Sequence, residues 1–155
     1  MPSAAATGIL IAAVLLGFGC ARQSTPSAEE ERNAKFKAAI DGVTLQGNMR
    51  GLGKDTMSKG EKFVIEKVTR VMGDTWLFQM RFQYGDHDVP VPIPMRVNWA
   101  GDTPVLTLTD VPVPGFGTYT ARVLIYGEQF AGMWSSQKGH GGQVFGKVVR
   151  GSGVK

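Results

Sequence analysis

Thr75-Trp76-Leu77-Phe78-Gln79-Met80-Arg81-Phe82-Gln83-Tyr84 is the stretch that decides the fold of this chain. Trp76, Phe78, Met80, Phe82 and Tyr84 are large and apolar, the residues between them are polar, and only Leu77 departs from the alternation. Side chains along a strand point to opposite faces in turn, so this is a half-buried β-strand with one dry face. A helix would spread the same five residues around its whole circumference. The turns Gly73-Asp74 before it and Gly85-Asp86-His87 after it make it one member of a sheet built on short connections.

Working outward, the same alternation marks Val43–Arg50 and, after a loop over Gly51–Gly60, Glu61–Val71. In the latter, Phe63 and Ile65 give way to Val68 and Val71, a slip of phase that predicts a bulge near Glu66. Val89–Trp99, Pro104–Thr109, Gly117–Tyr126, Gln129–Ser135 and Gln143–Arg150 complete the set, with a longer loop expected over Asp110–Gly115 and both faces of the last strand expected to be covered. Short connections force antiparallel neighbours, and eight such strands suffice to close a small up-and-down barrel. The expectation is therefore an all-β, antiparallel eight-stranded barrel, with a two-sheet β-sandwich as the alternative.

Pro90, Pro92 and Pro94 lie two apart, so three N–H groups are missing from the same side of their strand. That margin is expected to be open or splayed, which makes it a candidate edge for an envelope partner. Ser27-Ala28-Glu29-Glu30 reads as a capping box opening a short helix that runs to about Ile40 and plugs or caps one end of the barrel.

Residues Ile9–Leu16 are uninterruptedly apolar and lead through Gly17-Phe18-Gly19 to Cys20, the single cysteine. The run falls short of the roughly 20 apolar residues of a membrane span and reads as an export signal. Two features depart from the usual pattern: no Lys or Arg precedes the run, and Gly17 stands where a bacterial lipobox has Leu or Val. Cys20 is nevertheless placed as a lipid-modified new N-terminus would be. The chain divides into a signal peptide (1–19), a tether with a short helix (20–41), the β-barrel domain (42–150) and a tail (151–155). It is expected in the cell envelope, held to a membrane by the lipid.

All formal charge, a net +4 over 155 residues, falls beyond Cys20 and is scattered among acids, which argues against a nucleic-acid partner. Gly51-Leu52-Gly53-Lys54-Asp55-Thr56 is not a phosphate-binding loop, because Asp55 follows the lysine where Ser or Thr is needed. His87 and His140 both fall in turns and are weak candidates for a metal site; no metal or other cofactor is expected, and a metal-assisted hydrolase would need the two within reach of one ion. The aromatic set Trp76, Phe78, Phe82, Tyr84, Trp99, Tyr119 and Trp134 either fills the interior or lines a pocket for a small apolar molecule. Gly47, Ala121, Gly132 and Gly146 are small enough to leave such a pocket room.

The blocks Gly73–Phe78, Trp99–Val105, Gly117–Val123 and Ala131–Trp134 resemble a family of bacterial exported proteins that carries no assigned activity, so the resemblance implies no catalytic residue. The barrel with its N-terminal helix is similar in plan to the calycin ligand binders, an analogy of architecture alone. The function expected is non-catalytic binding of a small apolar ligand or an envelope partner. The alternative is an accessory envelope domain with a solid core.

Overall fold

The computed structural model describes residues 25–58, 60–84 and 86–151; the apolar leader and Cys20 lie outside them. Among these residues one helix, α1 (Ala28–Ile40), precedes eight strands: β1 (Val43–Gly51), β2 (Glu61–Met72), β3 (Thr75–Tyr84), β4 (His87–Ala100), β5 (Thr103–Val113), β6 (Gly117–Tyr126), β7 (Gln129–Ser136) and β8 (Gly141–Arg150). Each strand pairs antiparallel with its neighbours in sequence, and β8 returns to pair with β1, so the sheet closes into an up-and-down barrel. Closure excludes the sandwich and removes the free sheet edges that a sandwich leaves.

The alternation read in β3 is the alternation of the core. Trp76, Phe78 and Met80 are buried inside, as are Val91, Ile93, Met95 and Val97 of β4. The bulge expected near Glu66 is present as a register shift between Ile65 and Lys67, and it turns Val68 inward on the far side of the slip. Two further register shifts were not expected, one between Arg70 and Met72 at the end of β2 and one in β5. β5 continues past Thr109 to Val113, where the sequence predicts a loop over Asp110–Gly115.

The register shift in β5 falls between Leu108 and Val111, and Asp110 takes a positive φ of 50° there. β6 secures it. Thr120 Oγ1 accepts from the Asp110 amide at 3.0 Å, and the Arg122 guanidinium donates to the Leu108 carbonyl and, at 2.9 Å, to Thr109 Oγ1. A bulge reverses inward and outward phase, and so hid Val111 and Val113 from a period-two reading.

Pro90, Pro92 and Pro94 lie opposite Arg81, Gln79 and Leu77 of β3. The Val97 amide donates toward the β3 side, to Asp74 O at 2.8 Å, so its odd-numbered neighbours face β3 and the prolines face β5. The β4–β5 ladder accordingly runs only over Arg96–Ala100 against Thr103–Thr107. The splayed margin expected from the prolines is thus a seam in an otherwise continuous wall.

α1 closes one end. Ser27 and Glu30 form the reciprocal capping box, with Glu30 N donating to Ser27 Oγ at 3.2 Å and Ser27 N to Glu30 Oε2 at 2.7 Å. Phe36 and Ile40 are buried, and the Phe36 ring meets Trp76 edge-on at 5.2 Å and Trp99 at 5.9 Å. Arg32 lies 4.6 Å over the Trp99 ring. At the exit of the helix, Asp41 Oδ1 accepts from the Val68 amide at 2.6 Å, and Lys37 Nζ bridges Asp41 Oδ2 at 2.6 Å and Val68 O at 2.9 Å. These bonds pin the helix to β2.

The inward glycines of β1, β7 and β8 do not leave the space expected of them. A Cβ on Gly47 would stand 2.1 Å from Phe145 O, one on Gly146 would stand 2.2 Å from Gln46 O, and one on Gly132 would stand 2.3 Å from Arg122 O. The missing side chains let neighbouring backbones come into close contact there. The outer face of β8 also differs from expectation, because Phe145 and Val149 remain exposed, with nothing from the described residues covering them.

Candidate functional site

An up-and-down barrel places alternate connections at opposite ends. The turns β2–β3, β4–β5 and β6–β7 share one end with α1. The connections β1–β2, β3–β4, β5–β6 and β7–β8 share the other, where no helix enters among the described residues. The interior toward that second end holds a cavity of about 410 Å³, within the size range of small-molecule sites.

The aromatic set therefore divides. Trp76 and Phe78 are solid core beneath the helix, and Trp99 packs on Phe36. Phe82, Tyr119 and Trp134 line the cavity. Tyr84 ends β3 at the same end, but its side chain lies outside the described residues. Ala121 also lines the wall, as its small size had suggested.

Sequence reading missed several wall residues. Phe63 stacks edge-on against Phe82 at 5.3 Å, and Phe116 meets the same ring at 5.3 Å from the other side. Phe63 was legible in the alternation of β2. Phe116 was not, because it belongs to the β5–β6 turn, where no period applies, between the expected loop Asp110–Gly115 and the strand from Gly117. Tyr119 and Trp134 sit on the neighbouring strands β6 and β7 with ring centroids 6.1 Å apart, and the Tyr119 hydroxyl donates to the Phe116 carbonyl at 3.4 Å. These rings hold each other at the wall rather than collapsing into the space.

The lining is nearly all hydrocarbon, thioether and ring. Among the described residues that line it, only Glu61 carries a charge. Glu61 stands in phase with Phe63 and Ile65 on the inward face of β2, and its carboxyl group forms no ion pair or hydrogen bond among the described residues. A carboxylate two residues ahead of an inward phenylalanine was a signal available in the sequence. Two further polar atoms, Trp134 Nε1 and Ser136 Oγ, are buried on β7 without a partner among the described residues.

His87 opens β4 and His140 lies in the β7–β8 turn, so both belong to the cavity end; the His87 side chain lies outside the described residues. No cluster of three His, Cys, Asp or Glu able to hold a metal occurs among the described residues. Pro90, Pro92 and Pro94 flank the seam, and Ile93, Met95, Leu106 and Leu108 beside it line the cavity.

The architecture is an eight-stranded antiparallel barrel closed on itself with a short helix at one end, a plan consistent with a calycin-like architecture. Compared with protein families, with curated proteins and with solved structures, the chain finds no match in any of the three.

Proposed function

We propose that this chain is an envelope protein, exported by its leader and tethered through a lipid on Cys20, whose barrel holds a small apolar molecule without altering it. The observation that carries the reading is the cavity of about 410 Å³ at the end opposite α1, walled by Phe63, Phe82, Phe116, Tyr119 and Trp134. Burying apolar surface of a ligand there is favourable at roughly 25 cal/mol per Å² before the cost of association. A wall of rings and alkyl groups offers contact area, which suits retention better than bond making. The export and lipid attachment rest on Ile9–Leu16 and the position of Cys20.

The test is titration of the purified full-length protein with the neutral dye phenylnaphthylamine, whose emission rises in apolar surroundings. A saturable rise is expected, and Ala121→Phe, which grows a ring into the cavity, should abolish it while leaving the melting temperature nearly unchanged. A rise that Ala121→Phe leaves intact, or no saturable rise, would remove the cavity as the site.

A second reading, contact with an envelope protein along Pro90–Pro94, is favoured by the unladdered margin of β4. That margin offers carbonyls and lacks N–H groups, so a partner strand would have to supply the donors. A photo-crosslinker at Pro92 that gives no adduct in intact envelopes would end it.

A further inference from the structure

We infer that the molecule held in the barrel is an amphiphile with a single hydrogen-bond-donating head, an amine or an alcohol, and not a carboxylate; the inference rests on the ligand-binding reading above. The cavity bounds the size. At roughly 30 Å³ for each water-sized group, 410 Å³ admits about 14 groups, which suits a medium-length alkyl chain or, since aromatic carbons are smaller than a water, a compound of two or three rings.

Glu61 bounds the head. It starts β2 at the cavity end and is the charged group of the lining among the described residues. The cation next to it in sequence, Lys62, is exposed and points to the outer face by strand alternation. Asp88 nearby is already engaged, since Arg81 Nη2 reaches it at 2.9 Å and Gln83 Nε2 at 3.3 Å. The Glu61 carboxyl, half-buried at the rim of an apolar lining, thus has no hydrogen-bond or ion-pair partner among the described residues, and a carboxylate's oxygens accept hydrogen bonds and donate none.

A second carboxylate brought beside it would meet like-charge repulsion in surroundings of lower dielectric than water. An ammonium head would instead form a charge-assisted bond, and a hydroxyl could donate to Glu61 and accept from a donor. The alkyl tail would then run inward between Met80, Ile93 and Leu106 toward the closed end.

The experiment is displacement of bound phenylnaphthylamine from the full-length protein by decylamine, decanol and decanoate at neutral pH and moderate salt, for the wild type and Glu61→Gln. Decylamine is expected to displace the dye at concentrations at least about tenfold lower than decanoate, with decanol between them. In Glu61→Gln the amine and the acid should draw level, with the melting temperature as the check on folding. Equal potency of the three in the wild type, or a preference for decanoate, would overturn the head-group assignment while leaving the cavity reading intact. Failure of the dye to bind would instead overturn the binding reading, and this inference with it.

Discussion

The two ends of this barrel are built from the same kinds of residue and come out differently. At the α1 end, Trp76, Phe78 and Trp99 surround Phe36, and the rings interlock with centroids 5.2–6.4 Å apart and Phe78 fully buried. At the other end Phe63, Phe82, Phe116, Tyr119 and Trp134 stand around a cavity. The difference lies in one ring. The helix carries Phe36 into the first group, while nothing described enters the second. An aromatic cluster is thus solid or hollow according to whether another element supplies the side chain at its centre, and the strand pattern is identical in both cases.

Substitutions in the two clusters test that contrast most strongly. Phe36→Ala removes the ring on which the closed end packs and should lower unfolding stability by about 3–5 kcal/mol, read from urea denaturation. Phe82→Ala should lower it by roughly half as much, because its ring already borders the cavity. Equal losses would mean that the open end is as tightly packed as the closed one.

A smaller effect is expected where β1 and β8 approach closely. Gly146→Ala places a methyl against Gln46 O and Gly47, where neither backbone can retreat without breaking the β1–β8 ladder. The expected loss is about 1–3 kcal/mol. If denaturation shows no loss, the close approach of β1 and β8 is looser than described.

The smallest effect concerns the clasp between α1 and β2. Burial alone would raise the pKa of Asp41, but the bond from Lys37 and the bond from the Val68 amide outweigh it and hold the carboxyl below its usual range. A lowered folded-state value means the carboxylate stabilises the fold above the unfolded-state pKa, and that contribution is lost as pH falls through the folded value. Asp41→Asn should therefore cost about 1 kcal/mol at neutral pH, screening by solvent keeping it small. The gap from wild type should close below about pH 4. A gap that persists in acid would show that shape, and not ionisation, makes the clasp.

Much of this architecture was legible because period-two alternation is a local property. The dry face of Thr75–Tyr84, the slip at Glu66 and the three prolines facing one margin each follow from which way consecutive side chains and amides point. The β5 bulge was not legible. It depends on Thr120 and Arg122, residues of the next strand, accepting and donating across the ladder to Asp110 and Leu108. The role of Gly47, Gly132 and Gly146 was misread for a related reason: a glycine that makes room and one that lets two backbones touch look the same in sequence.

What the sequence by itself determined is the inventory: strands with their inward rings, a capped helix to precede them, short antiparallel turns, and a carboxylate at Glu61 in phase with Phe63. Only the tertiary structure decided which rings became core and which became wall. Closing β8 onto β1 assigned each side chain a height along the barrel, and the docking of α1 filled one end but not the other. Packing is a relation among residues distant in the chain, so a cavity has no signature in any one segment of it.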